Sequence, residues 1–184
     1  LDEFRILYLT GPRQAGKTTL ARQIANDLGM HYVSLDEPTV LASARSDPHG
    51  FIDSFAGRPV VLDEFQYAPE LITAIKLASD QLQPHERGRF FLTGSADIFS
   101  SAKTQEGLPG HLAKIELYPL SITEIVGGHF NLIDFLLKER LSVPDNIPKL
   151  SREQLAQTLI NGGYPELQSK SPRARQIWFK SYIQ

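Results

Sequence analysis

Phe4-Arg5-Ile6-Leu7-Tyr8-Leu9-Thr10-Gly11-Pro12-Arg13-Gln14-Ala15-Gly16-Lys17-Thr18-Thr19 is the stretch on which the fold turns. Its first half is almost continuously apolar, as a strand buried on both faces of a sheet should be. Its second half reads Gly-x-x-x-x-Gly-Lys-Thr, and an amphipathic helical pattern runs on from Lys17 to Leu28. Strand, loop and helix in that order form a phosphate-binding turn. Gly11 and Gly16 permit the tight backbone path that converges N–H groups on phosphate oxygens, and the helix adds its positive end. Lys17 is a mobile cation for the β- and γ-phosphates, the Thr18 hydroxyl a ligand for Mg²⁺, and Thr19 a contact for the α-phosphate. Pro12, Arg13, Gln14 and Ala15 complete the cradle, although Arg13 and Gln14 belong to types more often solvated in such loops than reactive. A glycine-rich turn capped by threonine is the plainer alternative, but it does not require all eight positions in this setting. The loop therefore predicts binding of a nucleoside triphosphate with Mg²⁺.

Outward from the loop, short apolar runs predict strands at Phe4 to Thr10, His31 to Leu35, Pro59 to Leu62, Arg89 to Thr93 and Lys114 to Tyr118. Helical patterns separate them: Lys17 to Leu28, Thr39 to Arg45, Pro48 to Phe55 and Pro69 to Leu82. Such alternation predicts an α/β fold, a parallel sheet covered by helices on both faces. Beyond Pro119 the strand signals stop. Helices are expected at Ser121 to Val126, Leu132 to Leu141, Arg152 to Ile160 and from Arg173 onward, with Ser142 to Pro148 as the best internal linker because two prolines interrupt it. The expected division is 1–120 for the sheet domain and 121–184 for a small helical region. The start at Leu1 and the unfinished amphipathic pattern at Tyr182-Ile183-Gln184 read as part of a longer protein.

The third strand ends in Asp63-Glu64, where an open α/β sheet faces its ligand crevice. Asp63 is placed to hold the water shell of Mg²⁺, and Glu64 to orient and deprotonate an attacking water. Alone, such a pair would read as a helix cap or solvated turn; beside the loop it predicts phosphoryl transfer to water. The fourth strand ends in Thr93-Gly94-Ser95, and Thr93 or Ser95 is the candidate that senses the γ-phosphate or positions the water, although Thr-Gly-Ser is also ordinary turn chemistry.

Composition narrows the classes. Hydrophobic residues at 41% and charged residues at 22% describe a folded globular chain rather than a disordered one. A net charge of −2 gives no global attraction to nucleic acid, leaving that partner possible but unsupported. No apolar run is long enough for a membrane span. The absence of cysteine excludes a disulfide framework, a thiolate nucleophile and a cysteine-built zinc site, and is compatible with a reducing cytoplasm. His31, His49, His85 and His129 lack metal-ligand spacing and read as surface or structural residues.

Together the segments resemble the catalytic-glutamate branch of AAA-superfamily P-loop ATPases. More narrowly, Leu9 to Thr18, Val61-Leu62-Asp63-Glu64-Phe65-Gln66-Tyr67-Ala68-Pro69-Glu70-Leu71, Leu92 to Ser95 and Leu117-Tyr118-Pro119-Leu120-Ser121 look like a prokaryotic ATPase family that carries a C-terminal domain of unknown function with a nuclease-like fold. The resemblance covers almost the whole chain. It implies a sheet order of 5-1-4-3-2 and ATP rather than GTP, and a homo-oligomer is a possible assembly. No Asn-Lys-x-Asp guanine-reading segment is present. It also implies that Gly162-Gly163-Tyr164-Pro165-Glu166 and the basic helix from Arg173 lead into the C-terminal domain, with Ile177, Trp178 and Ile183 near that junction; packing of this helix on the present region is the alternative. One departure stands out. Where the family usually has a Gly-Arg pair before the last strand, its Arg a candidate finger for a neighbouring subunit, this chain reads Leu108-Pro109-Gly110-His111-Leu112. Since such an Arg can carry a factor of roughly 10³ or more in rate, slow hydrolysis or a nucleotide switch is the alternative function. Arg58, Arg87 and Arg89 are the possible substitutes.

Overall fold

A computed structural model describes residues 3–83, 85–95, 112–127 and 150–183. The chain divides into two compact units, Leu1–Tyr118 and Pro119–Gln184. The first holds a five-stranded sheet of β1 (Ile6–Thr10), β2 (His31–Ser34), β3 (Val60–Asp63), β4 (Phe90–Gly94) and β5 (Leu112–Glu116), in the order β2-β3-β4-β1-β5. Every pairing is parallel. Read from the other edge this is 5-1-4-3-2, the order that the resemblance implies.

The central strands β1, β3 and β4 are buried along their whole length, and their side chains alternate between two cores. Ile6, Tyr8, Val60, Leu62, Phe90 and Leu92 face one core, together with residues of α2 (Pro38–Ser46), α3 (Pro48–Asp53) and α4 (Leu71–Asp80). Leu7, Leu9, Val61 and Phe91 face the other, which holds Ala21 and Ala25 of α1 (Lys17–Leu28). Small alanines let that helix approach the sheet closely, which brings its first turn up beside the ends of the strands.

Element boundaries move by one or two residues from expectation for physical reasons. The apolar residues Ile115, Leu117 and Tyr118 suggest a fifth strand beginning at Lys114, yet the ladder with β1 pairs Ile6 with Leu112 and Thr10 with Glu116. Backbone register sets the strand here, because β5 is an edge strand whose last three residues are exposed. Leu117 still donates its N–H to the Thr10 carbonyl at 2.7 Å.

In the second unit, α5 (Ile122–Ile125) and α6 (Arg152–Asn161) both start with capping boxes, Ser121 with Glu124 and Ser151 with Gln154. A short 3-10 turn, Pro165–Ser169, leads to α7 (Pro172–Ile183). Trp178 is buried against Tyr164 and stacked on Tyr182, and its indole N–H donates to Glu166 Oε2 at 3.2 Å. The Tyr164 hydroxyl, hydrogen-bonded to that of Tyr182, is pushed up to about 12. Trp178 thus packs within this unit, whereas Ile177 and Ile183 are exposed. The expected helix at Leu132 to Leu141, the linker Ser142 to Pro148, His111 and His129 lie outside the described residues.

Candidate functional site

Parallel strands end on one side of a sheet, so the segments following β1, β3 and β4 gather at a single edge. The loop after β1 has the backbone that its glycines predict. Gly11 (φ 145°), Gln14 (φ 62°) and Gly16 (φ 103°) all have positive φ. At position 11 two constraints coincide: that φ, and a neighbouring Leu117 carbonyl that a Cβ would overlap. Gln14 takes the left-handed conformation despite carrying a side chain, a cost of about 1 kcal/mol or more.

No side chain caps α1, because Gly16 stands at its N-cap position, and its first turn contains no acidic residue. The orphan N–H groups of that turn are left for an anion. Lys17 is buried, and its ammonium donates to the carbonyls of Gly11 at 2.9 Å and Pro12 at 2.8 Å. Burial lowers its pKa; the negative charges of Glu64 and Asp63 act in the opposite sense, and Arg13 adds to the lowering. That electrostatic reach joins the loop to the acidic pair. Thr18 is partly buried beside Lys17, while Arg13, Gln14 and Thr19 are exposed and Ala15 is buried.

Asp63 lies at the end of β3 and is almost fully buried. Its Oδ1 accepts a hydrogen bond from the Thr93 hydroxyl of neighbouring β4, and its Oδ2 accepts one from the Tyr32 hydroxyl of β2 at 2.6 Å. Both flanking strands therefore fix the carboxylate plane. Burial, followed by the bond to Asp63, raises the pKa of Tyr32 and keeps it a donor. Arg22 of α1 covers the Tyr32 ring at 5.1 Å.

Glu64 follows in a left-handed conformation, φ 59°, which turns the chain out of the strand into a short 3-10 turn, Phe65–Tyr67. Its N–H donates to Thr93 Oγ1 at 3.3 Å. Thr93 is fully buried and spends its hydroxyl on the acidic pair, whereas Ser95 is partly exposed. Of the two candidates on this strand end, only Ser95 lies toward solvent.

The donor set suits its expected ligands. A loop offering N–H groups and an ammonium, with no carboxylate among its own residues, matches a polyphosphate. An Asp carboxylate and a Thr hydroxyl supply the hard oxygen atoms that Mg²⁺ takes. No group of three or more His, Asp or Glu side chains that could hold a metal occurs among the described residues. The substitutes for His111 are not at this edge: Arg58 precedes β3, and Arg87 and Arg89 precede β4, at the opposite ends of the strands. Arg89 is also buried, which lowers its pKa.

Two participants escaped the sequence reading. Tyr32 reads as one more strand residue, because nothing local reveals that β2 lies beside β3. Gln66 lies within the segment after Asp63-Glu64, but its contacts depend on β4, which is distant in sequence.

This fold and this loop define a P-loop nucleotide-binding domain of the AAA type. The family described as "AAA domain" matches residues 3–126, and the chain belongs to that family. Two curated relatives, the uncharacterized protein Rv2008c of Mycobacterium tuberculosis and the uncharacterized protein Mb2031c of Mycobacterium bovis, are each 31% identical over 120 residues. The match takes in 65% of this chain and 26% of each relative, so the chain spans about a quarter of their length.

Proposed function

We propose that this domain binds ATP with Mg²⁺ and hydrolyses it to ADP and phosphate. The observation that carries the reading is the buried Lys17 ammonium, held over the loop carbonyls within electrostatic reach of both Asp63 and Glu64. Gly11, Pro12, Arg13, Gln14, Ala15, Gly16 and Thr19 cradle the phosphates, and Lys17 exchanges its carbonyl partners for β- and γ-phosphate oxygens. Thr18 and Asp63 would hold Mg²⁺, which would supply positive charge against that developing on the phosphates. Thr93 and Tyr32 keep Asp63 in place. Glu64 takes a proton from the attacking water as the water oxygen bonds to the γ-phosphorus; the bond to the bridging oxygen breaks and ADP leaves. Ser95 stands at the γ-phosphate end of the site.

The cycle drives or regulates an attached C-terminal domain in a cytoplasmic protein that assembles as a homo-oligomer. Support comes from the greater length of the relatives and from the resemblance to ATPases with a nuclease-like C-terminal domain. His111 in place of a family arginine favours a second reading, a nucleotide switch that turns over slowly.

Phosphate release by the full-length protein, with and without Mg²⁺, tests the first reading. Glu64→Gln is expected to retain ATP binding and lose about 10²–10⁴-fold in turnover. If wild type and variant bind ATP and are equally inert, the hydrolytic reading fails and the switch remains.

A further inference from the structure

Gln66 is a polar side chain whose two ends meet two different parts of the candidate site. Its Nε2 donates to Glu64 Oε2, and its Oε1 accepts the Ser95 N–H at 3.3 Å. An amide is the side chain suited to this task, because a carboxylate needs a donor and a backbone N–H needs an acceptor. Space for it is made locally. A Cβ on Gly94 would lie 2.6 Å from the Tyr8 hydroxyl and 2.8 Å from Gln66 Oε1, so glycine there admits the amide against the end of β4. Glu64 is held from behind as well, by its N–H on Thr93.

We propose that Gln66 is a positioning residue that aims the Glu64 carboxylate and ties it to Ser95, so that the group acting on water and the strand end facing the γ-phosphate move as one. The inference rests on the hydrolytic reading above. A carboxylate offers about four acceptor sites, so the bond from Gln66 leaves Glu64 free to take a proton while limiting where it points. A nucleophile-activating group that drifts by about 1 Å costs on the order of 10²-fold in rate. The hydrogen bonds of the Gln66 side chain go to Glu64 and Ser95 and not to the loop residues Gly11 to Thr19, so its loss should spare ATP affinity.

Three full-length proteins test the idea: wild type, Gln66→Leu and Gln66→Glu. Leucine removes both bonds, and glutamate keeps the acceptor for Ser95 while losing the donor to Glu64. Both variants are expected to lower kcat by about 10–100-fold with KM for ATP within about twofold of wild type. Hydrogen exchange at the Ser95 amide, read by NMR on protein labelled with ¹⁵N-serine, should accelerate in Gln66→Leu, which has no acceptor at position 66. An unchanged or raised kcat in both variants, or loss of KM and kcat together, overturns the positioning role. Should Gln66→Leu fail to fold, Gln66→Glu alone decides the kinetic half. Should the wild type bind ATP without releasing phosphate, the hydrolytic reading falls, and the Ser95 exchange still judges the tether: equal rates in wild type and Gln66→Leu overturn it.

Discussion

Lys17 concentrates the chemistry of the loop in one atom. Its Nζ is a buried cation with two carbonyl partners, and phosphate oxygens are stronger acceptors in the same place. Replacing it with alanine removes the cation while leaving the glycine-determined backbone and the α1 N-terminus intact. Lys17→Ala is therefore expected to weaken ATP binding by about 100-fold or more, close to 3 kcal/mol, in titration calorimetry. Unchanged affinity would remove the basis for a nucleotide site. Asp63 illustrates what a residue reading misses. Its identity and position are evident at the end of an apolar run, but the hydroxyls of Tyr32 and Thr93 that orient it come from separate strands.

Among the elements, the most legible were those whose signals are local. The periodicity of α1 and its Gly16 start fix that helix without knowledge of its neighbours, and Lys17–Leu28 has the expected bounds. Fully buried strands such as β3 and β4 are evident from continuous apolar runs, to within a residue at each end. β5 was shifted because an edge strand owes its limits to the ladder of β1 rather than to its own side chains. The bridge formed by Gln66 was illegible for a different reason: the expected order puts β4 next to β3, but the side-chain path from the turn after β3 to the Ser95 N–H carries no local signal. Gly11 offers a test at this scale. Gly11→Ala combines a backbone conformation disfavoured for L-residues with overlap on Leu117, and should cost about 2 kcal/mol or more. For a chain of this size that is about 4–8 °C in Tm, measurable by circular dichroism melting. A melt coinciding with wild type would mean that the loop and β5 can separate freely.

For the whole molecule, the relevant fact is that the chain spans about a quarter of its curated relatives. Under the proposed function, the nucleotide site belongs to a longer protein whose neighbouring subunit supplies charge to the γ-phosphate. His111 is where the resembling family would place that charge. In the assembled full-length protein, His111→Arg is expected to raise ATP turnover by tenfold or more, scored as phosphate released per subunit. No gain would mean that position 111 does not meet a neighbour's nucleotide. The division into two units bears on the same question, since residues 3–126 of the family match take in the whole sheet unit described here and only the start of the second.

The close approach of Gly11 to Leu117 has a mechanical side. Leu117 holds the end of β1 through its N–H and limits residue 11 through its carbonyl, and the first unit ends one residue later, at Tyr118. The chain thus leaves the sheet through the peptide that braces the phosphate loop. Under the proposed function, a pull on the polypeptide at that exit bears on the same peptide that shapes the grip on the triphosphate.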